Sequence, residues 1–339
     1  MARIALVHDV AGVAKAQAEI LRAAGHDVDH IKLAHFGARW PWLAKALTLP
    51  IRVALCIPTV LRLRRNRYDV VHIHWVPLGL IGLMSRRPFL IQAHGSDIHQ
   101  HVNTPGRFQL NRRVLERASL IFYVTPNLEP FIHRFAGKLR YLPNPVSVRS
   151  LASSPRAPER IRRAVIFMRL DPVKGVEKVF PAAQRLSELG IELCALAWGP
   201  LADEYRARYG RYVNFVEPMP HDQVGRFLEQ FDVVIGQMEQ GILSLSELEA
   251  MGAGRPLITG IDRSLYYPED KPPVVSSTSP DELVEQVEAL HEDSKRLANL
   301  SREGRAWVRR NHGYEHHLQI LEEAYFGLPA RDRELPIAM

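Results

Sequence analysis

The sequence predicts an α/β protein made of two doubly wound, Rossmann-like domains that face each other across a cleft. Its 339 residues suffice for two domains of about 150 residues each. Short apolar strands alternate with helical patterns along the chain, which is typical of parallel sheets covered by helices on both faces. This alternation stops at a stretch rich in Ser, Pro and Arg, residues 150–160, and then restarts. We therefore expect domains at 1–152 and 153–313, with a helix and tail over 314–339 that could cross back to the first domain.

Each half contains six predicted strands. In the first half the apolar runs that predict strands are Arg3–His8, Val28–Lys32, Asp69–His74, Phe89–His94, Leu120–Val124 and Leu139–Leu142. In the second half they are Ala164–Met168, Glu192–Ala197, Asn214–Val216, Val233–Gly236, Pro256–Thr259 and Val274–Ser276. Helical patterns are predicted over Ala14–Ala24, after the first strand, and over Gly313–Phe326, after the last strand. An amphipathic stretch at 40–67 is interrupted by Pro50 and Pro58.

Cysteine content and hydropathy indicate the cellular compartment in which the protein works. The two cysteines, Cys56 and Cys194, exclude a disulfide framework and predict buried thiols in a reducing environment. The N-terminal apolar run is too short for a signal peptide, and the most apolar uncharged stretch, Trp75–Met84, is far shorter than the ~20 residues of a membrane span. These features predict a cytoplasmic protein.

Charge is distributed unevenly between the two halves. Residues 1–150 carry 21 Lys and Arg against eight Asp and Glu, whereas the remainder carries 23 against 29. No acidic residue lies between Asp29 and Asp69, and eight basic residues there are interleaved with Trp, Leu and Ile. Residues 39–67 therefore favour an anionic partner such as a membrane surface, a lipid phosphate or nucleic acid. A solvated basic face is the simpler alternative.

The segment from Gly236 to Pro256 carries the most chemistry. A strand ends near Gly236, and a loop containing Gly241 leads into a helix for which Ser244 or Ser246 is the expected N-cap. The free N–H groups of that helix, at Leu245 and Ser246, are suited to phosphate oxygens. Glu249, one turn further, could accept both hydroxyls of a ribose.

The run Glu249-Ala-Met-Gly-Ala-Gly-Arg-Pro-Leu-Ile258 resembles the donor-site signature of the retaining glycosyltransferases of family 4, which have the GT-B architecture. The resemblance assigns donor ribose binding to Glu249. Many members have a second Glu eight positions earlier, where this chain has Gly241. A pair with the same spacing, Glu239 and Glu247, lies two positions out of register, so Glu239 is kept as a further donor-site candidate.

Arg169 and Lys174 follow the first strand of the second half, in Arg-Leu-Asp-Pro-Val-Lys-Gly. Two cations there could stabilise a diphosphate leaving group without a metal. The pattern is similar to the family's diphosphate-binding pair.

The first half contributes His94-Gly-Ser-Asp97, which resembles the family's His-Gly-x-Asp element. The resemblance places His94 near the donor sugar and gives Asp97 a supporting role. Weaker similarities place Met219 near the nucleobase and make Gly12 the single glycine of the loop that serves the acceptor and the donor phosphate.

The sequence thus predicts a metal-independent hexosyltransferase, without cofactor, acting on a nucleoside-diphosphate sugar and on an acceptor that could be a glycan, a small molecule or a lipid-linked molecule at the inner face of the membrane. A nucleotide-sugar epimerase or phosphorylase with the same fold is the main alternative, and a nucleic-acid-binding protein is the other. His72 and His74 alternate along one strand and should face the same side, but no Cys or carboxylate completes a zinc site around them. Walker-type, Gly-x-Gly-x-x-Gly and Gly-x-Ser-x-Gly motifs are absent from the sequence.

Overall fold

The computed structural model describes residues 1–33, 47–99, 108–147 and 157–327. These residues form two compact units, one comprising residues 1–145 with 317–327 and the other residues 146–316. The predicted boundary at 152/153, the tail beyond 327, and Arg39, Trp40, Trp42 and Lys45 lie outside the described residues.

The first domain is a six-stranded parallel sheet in the order β2-β1-β3-β4-β5-β6. Its strands are β1 Arg3–Val7, β2 Asp27–Ile31, β3 Val70–His74, β4 Leu90–Ala93, β5 Leu120–Tyr123 and β6 Leu139–Tyr141. Its helices are α1 Val13–Ala23, α2 Leu49–Arg65, α3 Gly79–Ser85, α4 Ser96–His99, α5 Phe108–Arg117 and α6 Glu129–Ile132, with 3₁₀ turns at Val76–Leu78, Pro126–Leu128 and His133–Lys138.

Alternate residues of β1 bury their side chains on opposite faces of this sheet. Ile4 and Leu6 belong to one apolar cluster, and Ala5 and Val7 belong to another, because successive side chains of a strand point to opposite sides. Helix α13, Tyr314–Phe326, covers the first of these faces with Ile320 and Leu321. Both side chains are buried, and each such burial contributes roughly 1.5–3 kcal/mol.

Helix α2 differs from the sequence expectation. Pro50 lies in its first turn, where proline is tolerated, but Pro58 lies inside a continuous helix and does not interrupt it. The hydrogen bond that Pro58 cannot make would have used the carbonyl of Ala54. Ala54 is exposed, so water can take over that carbonyl.

The second domain is also a six-stranded parallel sheet, in the order β12-β11-β10-β7-β8-β9. Its strands are β7 Arg163–Ile166, β8 Glu192–Leu196, β9 Val213–Val216, β10 Val233–Ile235, β11 Leu257–Thr259 and β12 Val275–Ser276. Its helices are α7 Ala183–Glu188, α8 Ala202–Tyr209, α9 Val224–Leu228, α10 Leu245–Gly252, α11 Pro280–Glu292 and α12 Ser294–His312. Short 3₁₀ turns lie at Pro172–Lys174, Val176–Lys178, Phe180–Ala182, His221–Gln223 and Arg263–Leu265.

This strand order has one topological switch point. The chain moves outward from β7 through β8 to β9, returns beside β7 as β10, and then moves outward the other way. In doubly wound sheets ligands bind outside the carboxyl ends of the strands at such a point. The loops that follow β7 and β10 are therefore where a ligand of this domain is expected.

Candidate functional site

Arg169 and Lys174 lie on the turn that follows β7. Asp171 fixes the turn, because one carboxylate oxygen accepts the Val173 N–H at 3.2 Å and the other accepts from the Arg169 guanidinium at 2.6 Å. Lys174 Nζ donates to Gln240 Oε1 at 2.7 Å, which joins this turn to the loop after β10. Burial lowers the pKa of the Lys174 ammonium, although the nearby Glu247 carboxylate raises it. Both predicted cations thus belong to the loops at the switch point.

Glu247 holds the loop after β10 together. Its buried carboxylate accepts hydrogen bonds from Gln237 N, Thr259 Oγ1, Ser244 N and Ser244 Oγ, at 2.6 to 2.8 Å. A Cβ at Gly236 would lie 2.4 Å from its Oε1 atom, so only glycine fits there. Because all four partners belong to the protein, Glu247 is not free to bind a ligand.

Helix α10 begins with open backbone donors. Ser244 is its N-cap, while Glu247 N and Leu248 N bond to the Ser244 carbonyl. The N–H groups of Leu245 and Ser246 have no backbone acceptor in the described part of the chain. The helix end therefore presents two N–H donors and a partial positive charge, which suits an anion.

Gly241 precedes this helix in a left-handed conformation, with φ +68°. Its carbonyl accepts from Asp262 N at 2.8 Å, and an added Cβ would lie 3.2 Å from the Asp262 Cβ. A larger residue would be strained there. The backbone of this loop therefore explains why glycine, not glutamate, occupies the position.

The other two acidic candidates of the second domain have different surroundings. The Glu249 carboxylate, on α10, bonds through Oε1 to His221 Nε2 at 2.6 Å, and its side chain is 9% exposed. Glu239 forms an exposed ion pair with Lys178 at 2.5 Å. Glu249 therefore shares a helix with the open donors, whereas Glu239 is engaged outside that helix. Met219, in the loop after β9, is partly buried against the apolar cluster beneath α10.

In the first domain, Asp97 fixes the backbone around His94. Its buried carboxylate accepts from the N–H groups of His94 and Gly95 at 2.9 Å each and from Val76 N at 3.0 Å. Burial raises the pKa of Asp97 to about 6, even though these three bonds lower it. Asp97 therefore shapes the loop through its backbone bonds.

His94 itself is half-buried and bonds through Nε2 to His74 Nδ1 at 3.1 Å. The His72 and His74 rings stack with their centroids 4.7 Å apart, which confirms that they face the same side of the sheet. Burial lowers the pKa of His94 to about 3, and the neighbouring His8 adds to the effect. His94 is thus a neutral imidazole at physiological pH. Gly12, at the N-terminus of α1, has φ +78° and open space around its Cα.

Three side-chain hydrogen bonds of the candidate site residues were not predicted from the sequence. Each joins residues from separate segments of the chain: His221 with Glu249, Gln240 with Lys174, and His74 with His94. Only His74 had a sequence signal, its alternation with His72 along the strand. Among the described residues, no group of three or more His, Cys, Asp and Glu could hold a metal ion, and no helix is long and apolar enough to span a bilayer.

Comparison with known proteins identifies the class. Residues 8–145 match the model of the glycosyl transferase 4-like domain, and residues 177–323 match that of a glycosyl transferase-like domain. No curated protein gives a match.

Solved structures agree over nearly the whole chain. Sucrose-phosphate synthase from Thermosynechococcus elongatus superposes with a TM-score of 0.73 at 17% identity, covering 95% of this chain and 98% of that one. HepE from Anabaena, in complex with UDP and glucose, gives 0.71 at 14% identity, covering 97% and 100%. The catalytic domain of starch synthase IV from Arabidopsis thaliana, bound to ADP and acarbose, gives 0.69 at 13% identity, covering 96% and 98%.

The chain is therefore a glycosyltransferase of GT-B architecture, with two Rossmann-like domains. Within that class it is a glycosyltransferase of the family-4 type.

Proposed function

We propose that the protein is a retaining hexosyltransferase that takes its sugar from a nucleoside-diphosphate sugar and requires no metal. One observation carries the proposal: two cations, an open helix N-terminus and the carboxylate of Glu249 belong to the loops and helix at the switch point of the second domain. These groups match the anionic diphosphate and the ribose diol of a nucleotide.

In this proposal the diphosphate is held by Arg169, Lys174 and the N–H groups of Leu245 and Ser246. Negative charge grows on the leaving diphosphate as the glycosidic bond breaks, and donors already in place stabilise it. Lys174 is largely removed from water, which strengthens its attraction for a phosphate. HepE was solved with UDP and starch synthase IV with ADP, which supports a nucleoside diphosphate as the ligand class.

Glu249 is proposed to accept the ribose hydroxyls, and Met219 to lie near the base. In the first domain, neutral His94 is proposed to contact the transferred sugar, with Asp97 holding its loop. The leaving phosphate itself takes the proton of the acceptor hydroxyl, so no pair of catalytic carboxylates is required. Gly12 is proposed to serve the acceptor and the phosphate.

The donor proposal is tested with a panel of nucleoside-diphosphate sugars by thermal shift and isothermal titration. We expect one donor to stabilise the protein and Glu249→Ala to remove that stabilisation. Glu192→Gln is the matched control, because Glu192 forms an exposed ion pair with Arg163 at the opposite end of the second sheet. If no donor binds, or if Glu249→Ala binds as the wild type does, the donor site is assigned wrongly.

The chemistry is tested separately once a donor is known. The anomeric proton of the product, observed by NMR, should show the same configuration as the donor, and turnover should persist in EDTA. Isomerised donor formed without any acceptor would instead indicate an epimerase, and phosphate-dependent release of a sugar phosphate would indicate a phosphorylase.

We further propose that the acceptor is lipid-linked and that the first domain meets an anionic membrane at the inner face. Twelve large hydrophobic side chains are exposed among the described residues, and five of them lie within one 15-residue segment: Leu47, Ile51, Leu55, Ile57 and Leu61. The basic residues Arg62, Arg64, Arg65 and Arg67 follow directly and are exposed. Apolar side chains followed by arginines suit a helix that lies on an anionic lipid surface.

Vesicle co-sedimentation tests this surface. We expect binding to vesicles that contain phosphatidylglycerol, weaker binding to pure phosphatidylcholine, and loss of binding in an Ile51→Gln, Leu55→Gln double variant. Leu110→Gln, on α5 of the same domain, is the control. Equal binding by the double variant would refute this surface, and salt-sensitive binding to duplex DNA with none to vesicles would favour the nucleic-acid alternative.

A further inference from the structure

A groove in the first domain lies at the edge of the sheet opposite to His94. It encloses about 730 Å³ and is lined by residues of helix α3, helix α5 and the loop 86–89. Phe89 and Ser119, which line it, directly precede β4 and β5, so the groove lies at the amino ends of these strands. His94 instead follows the carboxyl end of β4. The groove is therefore separate from the residues to which sugar transfer is assigned.

The groove is strongly basic. Four exposed arginines line it: Arg86, Arg87, Arg113 and Arg117. None of the described residues that line it is acidic. Within the described ranges, the guanidinium groups of Arg86, Arg113 and Arg117 also make no hydrogen bond or ion pair. Cations gathered in a cleft without counter-charges attract an anion. We call this feature the arginine groove.

Helix α5 carries two kinds of arginine. Arg113 and Arg117 are four residues apart, so they lie on the same face of the helix, and their like charges repel each other. Arg112, the neighbour of Arg113 in the chain, is instead paired with Glu116 at 2.7 Å. The arginine that lies outside the groove is thus neutralised within the helix, whereas the two that line the groove are not.

The backbone of Arg86 is unusual. This residue ends helix α3 in the left-handed conformation, with φ 58° and ψ 21°. Glycine is the common residue at such a position, because a Cβ atom disfavours this conformation. A bulky residue held in a disfavoured conformation indicates a role outside the helix itself. The exposed position of Arg86 on the arginine groove supplies such a role.

The rest of the wall is largely apolar and connects to helix α2. Its six apolar side chains are Leu80, Leu83, Met84, Pro88, Phe89 and Leu110. Arg64 of α2 donates to the Met84 carbonyl at 2.6 Å, and Arg87 donates to the Arg64 carbonyl at 3.2 Å. Helix α2 carries the exposed apolar and basic residues that are proposed to meet a membrane. Guanidinium groups beside an apolar wall suit a phosphodiester that is joined to acyl chains.

We propose that the arginine groove binds the headgroup phosphate of an anionic phospholipid, with the glycerol and the first methylenes of the acyl chains against the apolar wall. The inference rests on the proposed membrane surface of α2 and adds a defined headgroup site to it. Because the groove and His94 lie at opposite edges of the sheet, this lipid anchors the first domain and is not the acceptor.

Dihexanoyl phosphatidylglycerol, kept below its critical micelle concentration, tests the site without a bilayer. Isothermal titration at low ionic strength should show tighter binding of this lipid than of dihexanoyl phosphatidylcholine or of glycerophosphoglycerol, which lacks the acyl chains. An Arg113→Gln, Arg117→Gln variant should bind it about three- to tenfold more weakly, since each exposed ion pair contributes modestly. Arg86→Gly should bind it about twofold more weakly. Its melting temperature should nevertheless equal or exceed that of the wild type, because glycine suits the left-handed conformation.

Arg112→Gln, Arg134→Gln is the matched control. It also removes two positive charges from the first domain, but both arginines lie beside Glu116 and neither lines the groove. This variant should bind dihexanoyl phosphatidylglycerol as the wild type does. An equal loss in the two double variants would mean that only net charge matters, and would overturn the inference. Equal affinity of the wild type for the choline lipid or for glycerophosphoglycerol would also overturn it.

The α2 surface and the arginine groove can fail separately. The Ile51→Gln, Leu55→Gln variant should lose vesicle binding but still bind the short-chain lipid, because it leaves the groove intact. Leu110→Gln keeps every arginine and five of the six apolar wall residues, so it remains suitable as the vesicle control. Undiminished binding of dihexanoyl phosphatidylglycerol by Arg113→Gln, Arg117→Gln would refute the groove, whatever the vesicle assay shows for α2.

Discussion

Replacing Asp97 by Asn separates a structural role from a chemical one. Asp97 is buried, and its two oxygens accept three backbone N–H groups from the strand-end loops of the first domain. The Asn amide oxygen can still accept from His94 and Gly95, but its NH₂ group then faces the Val76 N–H as donor against donor. Losing one bond to a charged acceptor costs about 1.5–3 kcal/mol, and weaker bonds at the other two add to this. Removing the buried negative charge offsets part of this cost, so we expect the free energy of unfolding to fall by about 2–3 kcal/mol.

Calorimetry measures this loss as a lower melting temperature of the first domain. For a domain of this size each kcal/mol corresponds to roughly 2–4 °C, so the transition should move down by about 4–12 °C. Nucleotide affinity, assigned to the second domain, should not change. Asp69→Asn is the control, because its exposed carboxylate accepts one backbone N–H, from Arg3 at 2.7 Å, and should cost less than about 1 kcal/mol.

The result that would refute this reasoning is an Asp97→Asn protein that melts like the wild type but no longer transfers sugar. Asp97 would then act on the substrate rather than on the loop. A stability loss accompanied by partial turnover, recovered at lower temperature, would agree with the structural role.

Three further predictions concern acid stability, the loop after β10 and the phosphate cation. Burial holds the pKa of His72 at about 3 and the pKa of His74 well below its ordinary value of 6.5, so the unfolded chain takes up protons that the folded protein refuses. The stability that these two neutral histidines confer is present above pH 6.5, and the free energy of unfolding should fall by about 2 kcal/mol between pH 6.5 and 5.5. Urea unfolding at both pH values measures this fall, and equal free energies of unfolding would contradict the prediction. Glu247→Gln should lower the free energy of unfolding by about 2–3 kcal/mol, because the NH₂ group of the new glutamine would face N–H and O–H donors of the protein. Hydrogen exchange at the Gln237 amide should become faster, and unchanged exchange would argue against the role of Glu247 in holding this loop. Lys174→Met keeps the aliphatic stem but removes the ammonium, so UDP affinity should fall about tenfold or more while uridine affinity stays constant, and an equal loss for both ligands would refute a phosphate role.

The strands and the doubly wound architecture could be predicted from the sequence alone. A strand of a covered parallel sheet is buried on both faces, so residues 4–7 of β1 and Val233–Ile235 form unbroken apolar runs whatever their neighbours. The helix start was also predicted, because it depends on a few adjacent residues. Of the two N-cap candidates, Ser244 and Ser246, the structure has Ser244 at the N-cap.

The partners of polar side chains were decided only by the tertiary structure. Lys174 meets Gln240 across 66 positions, and Glu249 meets His221 across 28, because the carboxyl ends of parallel strands from distant parts of the chain lie along one edge of the sheet. In the sequence, Glu239 and Glu247 have the same spacing as the two glutamates of the family, which would fall at positions 241 and 249. Folding saturates Glu247 with four protein donors, whereas Glu249 has one side-chain hydrogen bond among the described residues, since two residues along a helix turn the side chain through about 200°. Residue types and their order therefore determined the fold and the class of this protein, and the packing of loops at the sheet edge determined that Glu247 is the carboxylate saturated by protein donors.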